Sequence, residues 1–144
     1  MILVFESAAN CVAAADSEVN SAPEVDDHKM QVLIVKALST LDPNIVDKVC
    51  AKVIFVSLNE ASWGIYINHN SVRYKNKDFI LLSPKIYEFD ESEQIRIVLH
   101  EVAHFILRHK TLLDYEDNSQ YDRNEEEADK LVIQWQGIYH KHNP

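Results

Sequence analysis

Cysteine is scarce in this 144-residue chain: Cys11 and Cys50 stand alone, with no CxxC spacing and no paired framework. A disulfide scaffold is excluded, both thiols are expected to stay reduced, and neither is a candidate nucleophile. Long hydrophobic runs are also missing. No stretch approaches the roughly 20 apolar residues that a membrane span needs, so a soluble protein without a membrane partner is expected. The opening Met-Ile-Leu-Val-Phe has no basic residue before it and meets Glu6 at once. It does not read as a secretory signal, and a cytoplasmic location is expected. Positive charge is in deficit too, with 14 Lys and Arg against 23 Asp and Glu and a formal net charge of −9. The basic residues are scattered, so a polyanion would be repelled, which argues against direct binding of nucleic acid.

The length suits one domain able to bury a core without staples. Residues 6–27 are rich in Ala, Ser, Asn and acid and show little apolar periodicity. The expected organisation is therefore a weakly ordered arm over 1–27 followed by one domain over 28–144. A segment that covers a cleft is the other reading of the arm.

Within 28–144, Met30, Leu33, Ile34, Ala37, Leu38 and Leu41 recur at spacings of three and four, the stripe of an amphipathic helix expected to pack on a sheet. Asp42-Pro43 supplies a cap and a first-turn proline for a second helical piece through Val49. Lys52 to Leu58, Trp63 to Asn68 and Phe79 to Ser83 read as strands, with turn-like segments at 68–70 and 75–78. After Phe89, Asp90 can cap a helix and Glu93 sits at the reciprocal capping-box position. Ile95, Val98, Leu99, Val102, Phe105 and Ile106 form its apolar face, and it should run to about His109. An acidic loop follows, then a last helix from about Arg123 that turns Ala128, Leu131, Val132, Trp135 and Ile138 inward.

The first of these two helices contains His100-Glu101-Val102-Ala103-His104. Two imidazoles four residues apart project from one helical face, so both reach a single ion, and zinc is the expected cofactor. Glu101 lies beside the first ligand but off its face, placed to take a proton from a zinc-bound water as general base. The bland reading of the pattern is a surface helix with two solvated histidines. Against it stand the well-capped helix, the Val and Ala between the polar residues, and the apolar Leu99, Val102 and Phe105 alongside, which imply burial and hence a need for partners.

A catalytic zinc takes three protein ligands and leaves a fourth position open. The last helix offers Glu125, Glu126 and Glu127. At about 100° per residue, and with Ala128, Leu131, Val132 and Trp135 inward, Glu126 points nearly opposite. Glu125 and Glu127 lie on the two flanks. Only Glu125 has Asp129 one turn further along its side, where a carboxylate can accept the free ring N–H of a metal-bound histidine. Glu125 is thus the preferred third ligand, with Glu127 as runner-up and Asp129 as the supporting carboxylate.

HEVAH at 100–104 followed by Glu125-Glu126-Glu127-Ala128-Asp129 resembles the HExxH and ExxxD arrangement of gluzincins. The compact E-x-E-A-D string is similar to the ImmA/IrrE metallopeptidase family, a likeness that covers roughly residues 63–135. The resemblance implies an α+β zincin-like domain: a small, mainly antiparallel mixed sheet with a backing helix, an active-site helix and a C-terminal ligand helix. It implies zinc-dependent hydrolysis of a peptide bond in an intracellular protein substrate, such as a regulatory repressor. It also makes the segment around Trp63 and Tyr66 look like the edge strand on which an extended peptide is laid, a mode that exposed sheet edges support in general. The other reading of Trp63 and Tyr66 is that they are core aromatics.

His109 departs from the metzincin pattern, and continued helical rotation would place it away from both ligands. It is expected to be a helix C-terminal histidine, favoured there by the macrodipole. Tyr115, Tyr121, Tyr139, His140 and His142 are all chemically able to stabilise an oxyanion. Two rivals stand beside the peptidase: a proteolytically silent zinc-binding domain of the same fold, its site covered by the arm or by Tyr139 to His142, and a metal-free interaction domain with a chance motif.

Overall fold

The computed structural model describes residues 2–3, 24–58, 62–72, 76–111 and 118–142. Helix α1 (Glu24–Ser39) begins four residues before the expected domain boundary, and its apolar stripe of Met30, Leu33, Ile34, Ala37 and Leu38 is buried. Helix α2 (Pro43–Lys52) starts as its sequence dictates: Asp42 Oδ1 accepts the Asn44 N–H at 2.8 Å, and Pro43 occupies the first turn, where its missing donor costs nothing.

Strands β1 (Ile2–Leu3), β2 (Val53–Ser57), β3 (Gly64–Ile67) and β4 (Asp78–Leu82) form one sheet in the order β1-β2-β4-β3. β2 and β4 are parallel, and the two outer pairings are antiparallel. The chain is therefore α+β with a small mixed sheet. Asp78, Ile80 and Leu82 are buried while Phe79 and Leu81 are half-buried, the alternation of a strand with one face on the core. The arm expected over 1–27 lies outside the described residues except at its ends, where 2–3 pair with β2 and 24–27 belong to α1. The turn expected at 68–70 is a short helix, α3 (His69–Val72).

A 3-10 turn, Pro84–Glu88, leads into α4 (Glu91–Leu107). Asp90 caps α4, accepting the Glu93 N–H at 3.0 Å. The other half of the expected capping box is replaced: the Glu93 carboxylate is gripped by the Arg96 fork at 2.7 and 2.8 Å. A bidentate, charge-assisted pair is stronger than one bond to a backbone amide. Ile97, Val98, Leu99, Val102 and Ala103 are buried, and α4 packs against α1, β3, β4 and α5 (Asn118–His142). A helix apolar on most sides is one that lies within the core. Because α4 occupies the layer next to the sheet, α1 lies chiefly on α4 rather than on the sheet as expected.

Helix α4 ends two residues earlier than its pattern suggests. Arg108 adopts the left-handed conformation (φ 57, ψ 40), its N–H bonds the Phe105 carbonyl, and the His109 N–H bonds the His104 carbonyl at 3.0 Å. This is a Schellman stop with arginine in the position glycine usually takes. α5 in turn starts five residues before its expected first turn. No helix among the described residues is long and apolar enough to cross a membrane.

Candidate metal centre

Helix α4 presents His100 and His104 on the side that faces α5, and α5 brings Glu125 against both. The His100 and His104 Nε2 atoms are 3.0 Å apart, and the Glu125 carboxylate oxygens lie 3.1 Å from the first and 3.3 Å from the second. These three are the group of His, Cys, Asp and Glu side chains among the described residues whose donor atoms converge, all within 4.8 Å. Donors bonded at about 2.0–2.1 Å to a tetrahedral ion stand about 3.3–3.4 Å from each other, so the triangle is nearly the size such an ion needs. Two imidazole nitrogens and one carboxylate oxygen are also a donor set that zinc accepts.

The surroundings hold these donors in place. Asp129 Oδ1 accepts from His100 Nδ1 at 3.0 Å and from the Arg96 guanidinium at 3.2 Å, while Arg96 is anchored by Glu93 one turn earlier on its own helix. His100 is thereby turned so that Nε2 faces Glu125. His104 is buried, and Tyr66 stacks on it with ring centroids 6.3 Å apart. Tyr66 is buried as well, its hydroxyl donating to Asp78 Oδ2 at 2.9 Å.

Charge follows this packing. Burial raises the Glu125 carboxyl, but hydrogen bonds and positive charge from His100 and His104 outweigh it and hold the group down at about 2. Burial likewise opposes charge on His100, yet the bond to Glu125 and the carboxylates of Glu101, Glu125 and Asp129 leave it raised. Glu101 is dominated by burial, which pushes it up to about 7 against the pull of His104 and His100. The Tyr66 backbone bonds the Glu101 carboxylate. Opposite lies Gly64, where a Cβ would stand 2.8 Å from Glu101 Cγ and Oε1. Glu101 thus fills the space that the strand leaves by having no side chain there.

β3 is an edge strand. The Ser83 N–H bonds the Trp63 carbonyl, so in the observed register Ile65 and Ile67 exchange bonds with β4, while the peptide groups of Gly64 and Tyr66 point away from it. A cavity of about 100 Å³ sits between this edge and the donor triangle, lined by Ser62, Gly64, Glu101, His104, Tyr121 and Glu125. A cleft of about 470 Å³ shares several of those residues and extends past His100 to Trp63, Arg96 and Asp129. Trp63 is half exposed and sets its edge against Phe89 at 5.0 Å.

Among the described residues, His100, Glu101, His104, Glu125, Asp129, Trp63 and Tyr66 all lie around this one site, though differently placed. Glu127 is 57% exposed and reaches His109 rather than the donor triangle. Tyr66 is buried, and its backbone bonds the Glu101 carboxylate. The expectation for His109 was wrong: its Nδ1 lies 2.8 Å from His104 Nδ1, and its burial is nearly complete. Helical rotation cannot be extrapolated to residue 109, because the helix has already ended at Leu107 and Arg108 reverses the chain. Burial lowers the His109 pKa, helped by His104 and opposed by Glu127. Gly64 and Arg96 were missed as well. A glycine inside a strand pattern, in a chain with only two, is a signal of close approach. Of the oxyanion candidates, Tyr121 lines both cavities; Tyr115 and the side chains of Tyr139, His140 and His142 lie outside the described residues.

Compared with family models, curated proteins and solved structures, the chain matches none.

Proposed function

We propose that this protein is a zinc-dependent metallopeptidase of the gluzincin type, similar to the ImmA/IrrE family, that hydrolyses peptide bonds of a protein substrate. The observation that carries this reading is the convergence of His100, His104 and Glu125 beside a buried glutamate and an open strand edge. When bound, zinc would polarise the scissile carbonyl and bring the pKa of a water toward about 7. His100, His104 and Glu125 would hold it, and Asp129 would keep the His100 ring proton on Nδ1 so that Nε2 is the donor.

Glu101 stands next to the donors without being one, and its burial beside them suits a group that takes a proton from the bound water and gives it back. The outward peptide group of Gly64 provides hydrogen bonds for an extended chain laid along β3, with the Tyr66 backbone engaged by Glu101, and the exposed Trp63 offers an apolar surface at the end of the cleft. Of the tyrosines and histidines able to stabilise an oxyanion, Tyr121 is the one that lines both cavities, as Ser62 also does, and it is the group proposed to meet developing negative charge.

A second reading, a zinc-binding domain of the same fold without proteolysis, is favoured by one observation: Glu101 is only 7% exposed and the adjoining cavity is about 100 Å³. Glu101→Gln separates the two. If zinc content holds and cleavage of an unfolded protein substrate disappears, the peptidase reading stands. Equal behaviour of wild type and variant in every assay leaves the silent domain.

A further inference from the structure

His104 and His109 are joined twice. The His109 N–H bonds the His104 carbonyl at 3.0 Å, closing the Schellman stop, and the two Nδ1 atoms approach to 2.8 Å. The far nitrogen of His109, Nε2, lies 3.3 Å from a Glu127 oxygen. The segment beyond the helix is pinned to the sheet by Asn68, whose N–H bonds Thr111 Oγ1 at 3.0 Å and whose amide reaches the His109 carbonyl at 3.4 Å. His109 is 6% exposed and Thr111 3%. A buried ring with one nitrogen on a donor histidine and the other on a carboxylate is not a solvated helix terminus.

Building on the metal-centre reading, we propose that His109 is a positioning residue for His104, and that with Glu127 it fixes which nitrogen of His104 carries the proton. The chemistry allows one arrangement. With a metal ion on Nε2, the atom that His104 turns toward His100 and Glu125, the ring proton of a neutral His104 must sit on Nδ1. That N–H needs an acceptor, and the atom in place is His109 Nδ1, which must then be the bare nitrogen. The His109 proton is left on Nε2, where it donates to Glu127. The chain His104, His109, Glu127 mirrors the support that Asp129 gives His100, with an imidazole between the ligand and the carboxylate. No covalent step is involved.

The test is zinc affinity, by competition with a chromophoric chelator, in the full chain. Asn presents an oxygen close to where Nδ1 of histidine lies, whereas Leu presents none. His109→Leu should weaken zinc about 10–100-fold, the usual cost of losing a group that orients a ligand. His109→Asn should stay within about threefold of wild type. Glu127→Ala should weaken zinc in the wild-type background and change nothing beside His109→Asn, as coupled groups do. In cobalt-loaded protein, the ring N–H resonance of His104 should be present in wild type and His109→Asn and lost to exchange in His109→Leu.

Wild-type affinity in His109→Leu, while His104→Ala binds no zinc, overturns the relay and leaves the metal centre intact. So does His109→Asn as weak as His109→Leu. An equal effect of Glu127→Ala in both backgrounds removes Glu127 from the relay. A wild type that takes up no zinc, or His104→Ala that keeps it, overturns the metal centre and the relay together. Should His109→Leu fail to fold, the Asn and Glu127 variants decide the matter by themselves.

Discussion

Gly64 and Glu101 share space for a single side chain: a Cβ on Gly64 would lie 2.8 Å from Glu101 Cγ and Oε1. The Gly64 backbone has no positive φ, so alanine is compatible with the strand and the whole effect falls on Glu101. Gly64→Ala should leave folding and zinc content close to wild type. Cleavage should fall by about 10–100-fold, part of the roughly 10²–10⁴ that a positioned general base contributes. Undiminished cleavage would show that Glu101 does not act from where it lies.

The donor triangle makes a graded prediction. His100→Ala, His104→Ala and Glu125→Ala each remove a direct donor and should abolish stoichiometric zinc, read by mass spectrometry of the metal. Asp129→Ala, which only unties the His100 ring and Arg96, should weaken zinc about 10–100-fold. Zinc retention in Glu125→Ala equal to wild type would refute that ligand assignment and return attention to Glu127.

In the metal-free protein, pH acts on buried Glu101 and half-buried Glu125 in opposite senses. Glu101 titrates at about 7 when folded and near 4.5 when unfolded, so the native state holds the extra proton and stability falls as pH rises between those values. Glu125 titrates at about 2 against the same reference, so its contribution is present above 4.5 and is lost as pH falls toward 2. Thermal melts should therefore show that Glu101→Gln flattens the decline between 4.5 and 7, while Glu125→Gln flattens the loss in acid. Unchanged profiles would contradict the burial and pairing assigned to these groups.

Zinc should reverse the neutral-range trend. Proton and metal compete for His100, whose pKa is raised, so the metal binds more tightly as that proton leaves. The rise in Tm on adding excess zinc should be larger at about pH 8 than at about pH 5.5. A shift independent of pH would argue against imidazole ligands.

At the start of α4, Asp90→Ala removes the bond to the Glu93 N–H. Chemical denaturation should show a loss of about 0.5–2 kcal/mol, with zinc affinity in the native state little changed, because the cap lies more than two turns from His100.

Much of the scaffold could be read from local pattern. The three main strands, the Asp42-Pro43 and Asp90 starts and the buried stripe of α1 depend on neighbours within a turn or a pleat, and the structure has each where the sequence places it. Errors came where two local signals competed. Glu93 had a cap to close and an arginine three residues on, and the arginine took it. α1 had a sheet to face, and α4 stood in between.

The sequence by itself determined that His100 and His104 share a helical face with Glu101 beside them, because a spacing of four on an α-helix admits no other outcome. It also excluded Glu126 and left Glu125, the preferred one, and Glu127 on the two flanks of α5. Tertiary structure alone decided which glutamate meets the histidines, that His109 turns back under His104, and that Gly64 leaves room for Glu101. Those relations depend on how two helices and a strand pack and on where α4 stops, and both are set by contacts between residues far apart in the chain.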